Sequence, residues 1–316
     1  MCDRDGQAED KNPARFDSKL LSEYAEFLRN HQGLAESTIG IRRRYVSPFL
    51  AAIEDENGKI GSLSPEAIHE YVIKTKNAKT LTRSCRKQLS SSLRSFLRFA
   101  YFKGYVDRDL RGAVPVIKEY RLARVPRSIS WESVQKLLEA PDRNTRPGRR
   151  DYAILQLLAT YGVRIGQILS LELGDIDWHR GIINFRQSKG GKPLSLPLKL
   201  EVADAILTYL RQDRDDATCP EVFLTVRGEP RPLSKKNWLG SSLQVYYRRA
   251  GIECGIRGSS HAIRHAFATR LLEQGTPIKT ISDLLGHRCI GTTFIYTKVN
   301  VEQLRSLSRE WPEVTS

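Results

Sequence analysis

The sequence predicts a mainly α-helical chain with a small β-sheet, divided into two domains. Three observations lead to this expectation. Apolar residues recur at helical spacing along most of the chain, two short β-like runs enclose a pair of glycines, and a proline-containing segment without periodicity separates two periodic halves. A length of 316 residues also favours two domains, each able to bury its own core.

Residues 1–14 are polar and predict a flexible tail, and helical spacing begins after Asp17, a candidate N-cap. Ser64 and Pro65 form another helix-start signal, because serine caps helices and proline is tolerated at the first helical position. Four helices are predicted within residues 15–109, the last ending near Gly104. Their inward faces are predicted to carry Leu20, Leu21, Tyr24, Phe27 and Leu28; Ile41, Tyr45, Phe49 and Ile53; Ile68 and Val72; and Leu89, Leu93, Phe96, Leu97 and Ala100.

Residues 110–128 form the predicted linker, and the second domain, 129–316, opens with a helix start at Ser130. A helix that stops at Gly162 places Arg164 at the beginning of the next short helix. The runs 182–185 and 194–196 predict a β-hairpin, since the two glycines between them suit a tight turn, and Lys189 and Lys192 lie near its tip.

The remainder of the second domain is predicted to be mainly helical. Gly275 and Gly286 are the predicted C-terminal caps of two of its helices. Near the end of the chain, the spacing of apolar residues predicts an amphipathic helix that contains Val301, Leu304, Leu307 and Trp311.

The chain is strongly basic, since 51 Lys and Arg against 36 Asp and Glu give a formal net charge of +15 and a pI near 9.7. Such an excess is expected of a protein that binds a polyanion such as nucleic acid. Basic residues cluster on two predicted N-terminal helices, where a solvated face is the ordinary alternative to phosphate contact. The candidate DNA-binding residues are Arg42, Arg43, Arg44, Arg83, Arg86, Lys87 and Arg94, with Lys192 in the C-terminal half.

Five scattered cysteines without a C-x-x-C pair argue against a disulfide framework or a zinc site and favour a reducing cytoplasm. No apolar run approaches the roughly 18 residues that a membrane span needs. The N-terminus is polar rather than signal-like. We therefore expect a cytoplasmic protein without membrane contact.

Six polar residues in the C-terminal half supply the groups that a metal-free phosphoryl transfer needs. Two arginines can hold the equatorial oxygens of a five-coordinate phosphate, and imidazoles can add hydrogen bonds. A phenol can act as the nucleophile, and an ammonium can protonate the leaving alkoxide. Each residue alone has an ordinary alternative, such as a surface ion pair for an arginine. The candidates are Arg164, Lys189, His261, Arg264, His287 and Tyr296.

His265 follows His261 at the spacing of the zinc-binding H-E-x-x-H motif. The glutamate of that motif is missing, no third ligand is evident, and Arg264 would repel a cation. Packing, or support of the neighbouring site residues, is therefore the better interpretation of His265, and neither a metal nor another cofactor is expected.

The order and spacing of the six residues resemble the tyrosine recombinase (phage integrase) family, which includes the XerC and XerD recombinases. Its signature is Arg, Lys, His-x-x-Arg, His or Trp, and Tyr. Residues 160–165 (TYGVRI) resemble the family's TGLRISE motif, residues 261–269 (HAIRHAFAT) resemble HDLRHTFAT, and residues 285–297 (LGHRCIGTTFIYT) resemble LGHSSISTTQIYT. The resemblance covers residues 15–310 and is strongest from 149 onward.

The resemblance implies an N-terminal SAM-like core-binding domain that closes over DNA, followed by a mixed α/β catalytic domain. Tyr296 would form a 3′-phosphotyrosine and free a 5′-hydroxyl. Lys189, rather than its neighbour Lys192, aligns with the family's general acid, and His261 is assigned to proton transfer from Tyr296 or to an oxygen contact. Exchange would pass through a Holliday junction held by a tetramer, alone or with partner recombinases. The C-terminal helix would dock on its own domain or on a neighbouring protomer.

Three positions depart from the family pattern. Gly166 and Gln167 stand where the family usually has Ser-Glu, so a carboxylate that often anchors the arginine motif is missing and Arg164 is expected to be less firmly oriented. Leu194 stands where a basic residue commonly follows the hairpin, and Cys289 replaces a typical serine. None of these changes removes a chemical role.

Two other functions remain open from the sequence. A type IB topoisomerase uses similar chemistry as a monomer, but the small N-terminal helical domain and the LGH and IYT motifs favour a recombinase. A non-catalytic DNA-binding or excision-control protein would not need all six residues. Relaxation of supercoiled plasmid by a monomer would favour the topoisomerase, and DNA binding without a covalent adduct would favour the control protein.

Overall fold

The computed structural model describes residues 13–57, 60–74, 81–118, 129–186, 193–214, 218–252, 259–287 and 292–293. The chain divides into two compact units, Met1–Ala123 and Arg124–Ser316. Helices dominate both units, and one small antiparallel sheet lies in the second, which confirms the predicted fold class. In the described part of the chain, no helix is long and apolar enough to cross a membrane.

The first unit is helical and has an aromatic core. The ring of Tyr24 lies 5.4 Å from the rings of both Phe96 and Phe99. Such ring pairs contribute about 0.5–1.5 kcal/mol each beyond the area that they bury. The residues predicted to face inward on the first, third and fourth helices are all buried. The α-helices of this unit are α1 (Pro13–Asn30), α2 (Glu36–Asn57), α3 (Pro65–Lys74) and α4 (Arg83–Phe102), with 3-10 turns at Ile60–Ser62 and Arg111–Ala113.

Helix starts and faces in this unit agree with the sequence prediction except at two residues. The cap at Ser64 is confirmed, because its Oγ accepts a hydrogen bond from Ala67 N at 3.1 Å. The cap at Asp17 is wrong: α1 begins at Pro13, whose fixed φ suits the first turn, so Asp17 lies inside the helix. Ile41, predicted to face inward, is 42% exposed because it lies far around α2 from the buried side.

The first unit continues beyond its last long helix. Leu110 and Val114 are buried in its core. Arg94 Nη2 also donates a hydrogen bond to the Val114 carbonyl at 2.7 Å. Part of the segment expected to be linker therefore packs with the helices before it, and residues 119–128 lie outside the described residues.

The second unit is built around one long helix, α6 (Arg146–Tyr161), which packs against α8 (Leu200–Asp213) and α11 (Ser260–Glu273). The predicted start of its first helix is confirmed, since Ser130 Oγ accepts from Ser133 N at 3.2 Å. The α-helices are α5 (Trp131–Glu139), α6 (Arg146–Tyr161), α7 (Ile165–Leu169), α8 (Leu200–Asp213), α9 (Lys235–Asn237), α10 (Leu243–Arg249), α11 (Ser260–Glu273) and α12 (Ile278–Leu284), with a π-helical turn at Trp238–Ser242.

The sheet contains β1 (Ile176–Asp177), β2 (Ile182–Phe185) and β3 (Leu194–Pro197), in the order β1-β2-β3 with antiparallel pairing. Phe185 pairs with Leu194, which confirms the predicted hairpin. Alternate residues of β2 point into the core, so Ile183 and Phe185 are buried. The hairpin tip, residues 187–192 with Lys189 and Lys192, lies outside the described residues.

A buried network around Asp151 fixes α6 in place. The Asp151 carboxylate accepts hydrogen bonds from Trp238 Nε1 at 3.0 Å, Tyr246 Oη at 2.8 Å and Arg150 Nε at 2.8 Å. Burial, followed by the Asp151 charge, raises the pKa of Tyr246, so the phenol remains a donor. Removing one partner of a buried charge costs about 3–5 kcal/mol. The network therefore holds α6 firmly against the π-helical turn and α10.

Candidate active site

Arg264, only 4% exposed on α11, lies at the centre of a buried polar cluster. Its Nη1 donates to the Gly162 carbonyl at 2.8 Å, and its Nη2 donates to the Leu285 carbonyl at 2.6 Å. Nη2 also lies 2.9 Å from Nε2 of His287. These contacts hold the guanidinium between the end of α6 and the end of α12. A fixed planar fork of this kind suits phosphate recognition.

His287 follows Gly286, whose positive φ of 60° ends α12 as predicted. Its Nδ1 lies 2.8 Å from Oγ1 of the buried Thr293. Because a guanidinium can only donate, Nε2 accepts from Arg264, and the ring proton resides on Nδ1 and points to Thr293. Burial first, and then the charges of Arg264 and Arg164, lowers the pKa of His287 to about 4. The ring is therefore neutral at pH 7.

Arg164 joins the cluster through a helix break. Helix α6 ends at Gly162 with a φ of 58°, and Arg164 is the N-cap residue of α7, as predicted. A side chain at Gly162 would be strained in this left-handed conformation, and its Cβ would lie 2.3 Å from Cδ1 of Phe267. Since the Gly162 carbonyl also binds Arg264, the break brings together two arginines from separate motifs.

His261 lies one helical turn before Arg264 on α11. The residue is exposed, yet neighbouring protein atoms partly desolvate its ring. This desolvation, followed by the charges of Arg264, Lys235 and Arg164, lowers the pKa of His261. A neutral imidazole at the edge of the cluster can accept a proton, which suits a general base.

His265 is half-buried behind this edge. Burial, followed by the effects of His261 and Arg264, lowers its pKa to about 4. Among the residues that the structure describes, no group of three or more His, Cys, Asp or Glu side chains is arranged to hold a metal ion. The role of His265 in packing, or in support of its neighbours His261 and Arg264, stays a prediction.

Four of the six predicted catalytic residues lie together, since the charges of Arg164 and Arg264 act on both His261 and His287. The other two, Lys189 and Tyr296, lie outside the described residues. The same holds for Lys192, for Cys289 and for the predicted C-terminal helix with Val301, Leu304, Leu307 and Trp311.

Three residues of the site were not predicted. Gln167 was expected to weaken the placement of Arg164, but its Oε1 accepts from Arg164 N at 3.2 Å and anchors that backbone. Thr293 lies in the same motif as His287 and Tyr296, so its position in the sequence could have identified it as a residue of the site. Lys235 belongs to none of the recognised motifs, and only the fold brings its charge near His261.

The predicted DNA-binding residues of the first unit lie on α2 and α4. Arg43, Arg44, Arg83 and Lys87 are exposed, whereas Arg42, Arg86 and Arg94 are half-buried. Arg42 Nη1 donates to Ser95 Oγ at 2.6 Å and to Gln32 Oε1 at 3.2 Å, which joins α2 to α4. Arg42 and Arg94 line one open cavity. Hydrogen bonds to other groups of the first unit hold both side chains in place.

Comparisons with known sequences place the chain in one family. The model of the phage integrase family matches residues 127–303. "Putative integrase/recombinase y4rA" of Sinorhizobium fredii is 34% identical over 304 residues, which cover 96% of this chain and 73% of that protein. "Tyrosine recombinase XerD" of Staphylococcus haemolyticus is 29% identical over 301 residues, covering 92% of this chain and 98% of that protein.

Solved structures share the fold. The XerH site-specific recombinase bound to a palindromic difH substrate, in a post-cleavage complex, aligns with a TM-score of 0.72 at 16% identity and covers 98% of this chain and 92% of its own. A lambda integrase tetramer bound to a Holliday junction aligns with a TM-score of 0.66 at 18% identity, covering 98% of this chain and 85% of its own.

Proposed function

The chain belongs to the phage integrase family, and we propose that it cleaves and rejoins DNA through a covalent bond between Tyr296 and a DNA phosphate. It is a tyrosine-type DNA strand transferase, and its activity is site-specific DNA recombination. The observation that best supports the assignment of its site is the contact of the buried Arg264 with the half-buried His287, with Arg164 and His261 beside them.

In the proposed cleavage step, the Tyr296 oxygen attacks the phosphorus, and the bond from phosphorus to the 5′ oxygen breaks. The phenolic proton passes to His261, whose lowered pKa leaves the imidazole neutral and able to accept it. Lys189 supplies a proton to the departing 5′ oxygen. The products are a 3′-phosphotyrosine and a 5′-hydroxyl, and the retained bond energy lets a partner strand reverse the attack without ATP.

Arg164 and Arg264 are proposed to hold the non-bridging oxygens, where negative charge grows in the transition state. Loss of one such donor lowers a rate by about 10²–10³-fold. The proposed role of His287 is to bond a non-bridging oxygen. A phosphate beside the ring would raise its pKa, so that a protonated Nε2 can donate to the phosphate in place of its contact with Arg264.

Double-stranded recombination sites are the proposed partners. We assign DNA contact to the basic residues of α2 and α4 and to Lys192, since phosphate contacts supply most of the affinity for DNA. In this proposal residues 15–109 bind DNA, residues 129–316 carry out catalysis, and residues 110–128 connect the two. Exchange between two duplexes needs four active sites, so a tetramer on a Holliday junction, alone or with partner recombinases, completes the proposal. The enzyme would act in the cytoplasm, on the DNA found there.

A trapping experiment tests the chemistry. Short duplexes tiled across the DNA on both sides of the gene each carry a nick, so that cleavage near the nick releases a fragment with a 5′-hydroxyl. The released fragment diffuses away, rejoining is blocked, and covalent protein–DNA adduct accumulates. The reaction is run in EDTA and analysed on a denaturing gel, with Tyr296→Phe as the matched control, because this change removes only the nucleophilic oxygen.

The expected result is an adduct on the 3′ end of one cleaved strand that forms in EDTA and is lost in Tyr296→Phe. An adduct that persists in Tyr296→Phe would overturn the assignment of the nucleophile. Tight binding to one duplex without any adduct would overturn the catalytic proposal and favour a regulatory DNA-binding protein.

A further inference from the structure

Gln167 makes two hydrogen bonds of opposite polarity at the edge of the site. The side chain is buried, and its Oε1 accepts from the backbone N–H of Arg164 at 3.2 Å. Its Nε2 donates to the backbone carbonyl of Arg186 at 3.2 Å. The amide of Gln167 therefore connects two segments of the chain. One is the helix break at Arg164, and the other is Arg186, the residue directly after β2.

The accepting half of this arrangement is a helix cap. Gln167 is the third residue of α7, and a side chain at that position commonly reaches back to the N–H of the capping residue. Glutamate serves this purpose as well as glutamine, and a negative charge is also favourable near a helix N-terminus. Capping therefore gives no reason to prefer the amide over the glutamate that the resemblance leads one to expect here.

The donating half needs the amide. An ionised carboxylate has no proton to offer the Arg186 carbonyl and would face that oxygen with a like partial charge. The carbonyl is also a fixed target. Arg186 follows Phe185, which is paired with β3, and its own side chain forms ion pairs with Glu172 and with Asp175.

We propose that Gln167 is a positioning residue for strand cleavage, which ties the backbone of Arg164 to the end of β2 through both of its hydrogen bonds. This inference rests on the proposed function of Arg164. The guanidinium of Arg164 must meet a phosphate oxygen within a narrow range of positions, and a displacement of about 1 Å can cost as much as 10²-fold in rate. In this chain the amide replaces the missing carboxylate by holding the same backbone from the sheet.

The test compares Gln167→Glu with Gln167→Met in the trapping assay, using the nicked duplex on which the wild-type protein forms its adduct. Gln167→Glu keeps the length of the side chain and the cap but loses the donor. Gln167→Met keeps the length and loses both bonds. Adduct formation is timed at saturating DNA and at several pH values, and tryptophan fluorescence confirms that each variant is folded under the assay conditions.

Near neutral pH, Gln167→Glu should form the adduct between tenfold and hundredfold more slowly than the wild type, while its affinity for the duplex stays unchanged. The deficit should shrink as the pH falls, because a protonated carboxyl group can donate to the Arg186 carbonyl. The charged residues around the two hydrogen-bond partners are Arg164 and Arg186, which would favour ionisation of the introduced carboxyl group, and Glu172 and Asp175, which pair with Arg186 and would oppose it. Gln167→Met has nothing to titrate, so its deficit should be the same at every pH.

A Gln167→Glu protein that forms adduct at the wild-type rate would overturn the inference and leave Gln167 as a cap alone. A deficit in Gln167→Glu that does not change with pH would also overturn it, since the loss would then not depend on the donated proton. Absence of adduct with the wild-type protein would instead count against the proposed function. Failure of the inference about Gln167 and failure of the proposed function therefore give different results.

Discussion

Replacing Arg264 with lysine should destabilise the second unit as well as slow cleavage. The guanidinium contacts three separate groups: the Gly162 carbonyl, the Leu285 carbonyl and Nε2 of His287. A lysine ammonium carries its three donors on one atom, so it cannot occupy the positions of both Nη1 and Nη2 and must lose at least one of these partners. Hydrogen bonds to charged groups contribute roughly 1.5–3 kcal/mol each. Losing one or two of them at this buried site should cost about 1.5–6 kcal/mol of unfolding free energy.

Urea unfolding followed by tryptophan fluorescence measures this cost in the relevant unit, because all four tryptophans (Trp131, Trp178, Trp238 and Trp311) belong to the second unit. With a urea dependence of about 1–3 kcal/mol per molar, a loss of this size moves the midpoint down by roughly 0.5 M or more. Adduct formation should fall by about 10²–10³-fold in parallel, as expected for loss of a charge-stabilising donor.

Arg164→Lys is the matched control for this experiment. The hydrogen bond from Arg164 to Gln167 uses the backbone N–H, which the substitution retains, and the side chain is only half-buried. Cleavage should therefore fall as it does in Arg264→Lys, while the urea midpoint changes little. An Arg264→Lys protein that unfolds at the wild-type urea concentration would refute the argument, and so would an equal shift in both variants.

Three further outcomes are expected. Gly162→Ala should lower the unfolding free energy by about 2–5 kcal/mol in the same urea assay, because it combines a left-handed φ with a clash against Phe267; an unchanged midpoint would contradict this. Thr293→Val should slow adduct formation about tenfold without weakening DNA binding, because His287 loses the acceptor that orients it. Unfolding free energy should fall as pH drops from about 6.5 toward 4, since the unfolded chain takes up protons that folded His265 and His287 exclude. A urea midpoint that is flat between pH 6.5 and 5 would be inconsistent with it.

Local signals in the sequence were sufficient to place Arg164 at a helix start. The glycine that ends α6 and the short apolar run after it are both visible in the printed residues. The partners of Arg264 were not predictable in the same way. Two of them are the backbone carbonyls of Gly162 and Leu285. Every residue carries a carbonyl, so only the packing of α11 between the ends of α6 and α12 selects these two.

The error at Ile41 has a geometric cause. The prediction stepped along α2 in fours, from Ile53 back through Phe49 and Tyr45 to Ile41. Because a helix turns by about 100° per residue, each such step drifts by about 40°, and three steps displace Ile41 by about 120° from Ile53. The observed buried face alternates steps of three and four and contains Ile39, Val46, Phe49, Leu50 and Ile53.

Gln167 shows why a departure from a motif cannot be judged from the residue alone. From the sequence, the missing carboxylate implied a less certain orientation for Arg164. The Gln167 amide nevertheless accepts the backbone hydrogen bond from Arg164 that a carboxylate at this position would accept. The additional donation depends on where the Arg186 carbonyl lies, which is set by the pairing of β2 with β3. That pairing was predicted, but its distance from the helix break was not.

Gly162 has one structural role that the sequence predicts and a second that only the packing of the fold creates. Its position after a helical run predicts the end of α6, and the left-handed φ explains why a glycine is needed there. Phe267, from the motif that contains Arg264, packs where a side chain would lie, and Arg264 itself binds the Gly162 carbonyl. Gly162 therefore positions Arg164, which lies two residues later in the chain, and also Arg264, whose guanidinium binds the Gly162 carbonyl. A substitution at Gly162 should disturb both arginines together, even though its own side chain has no chemical role.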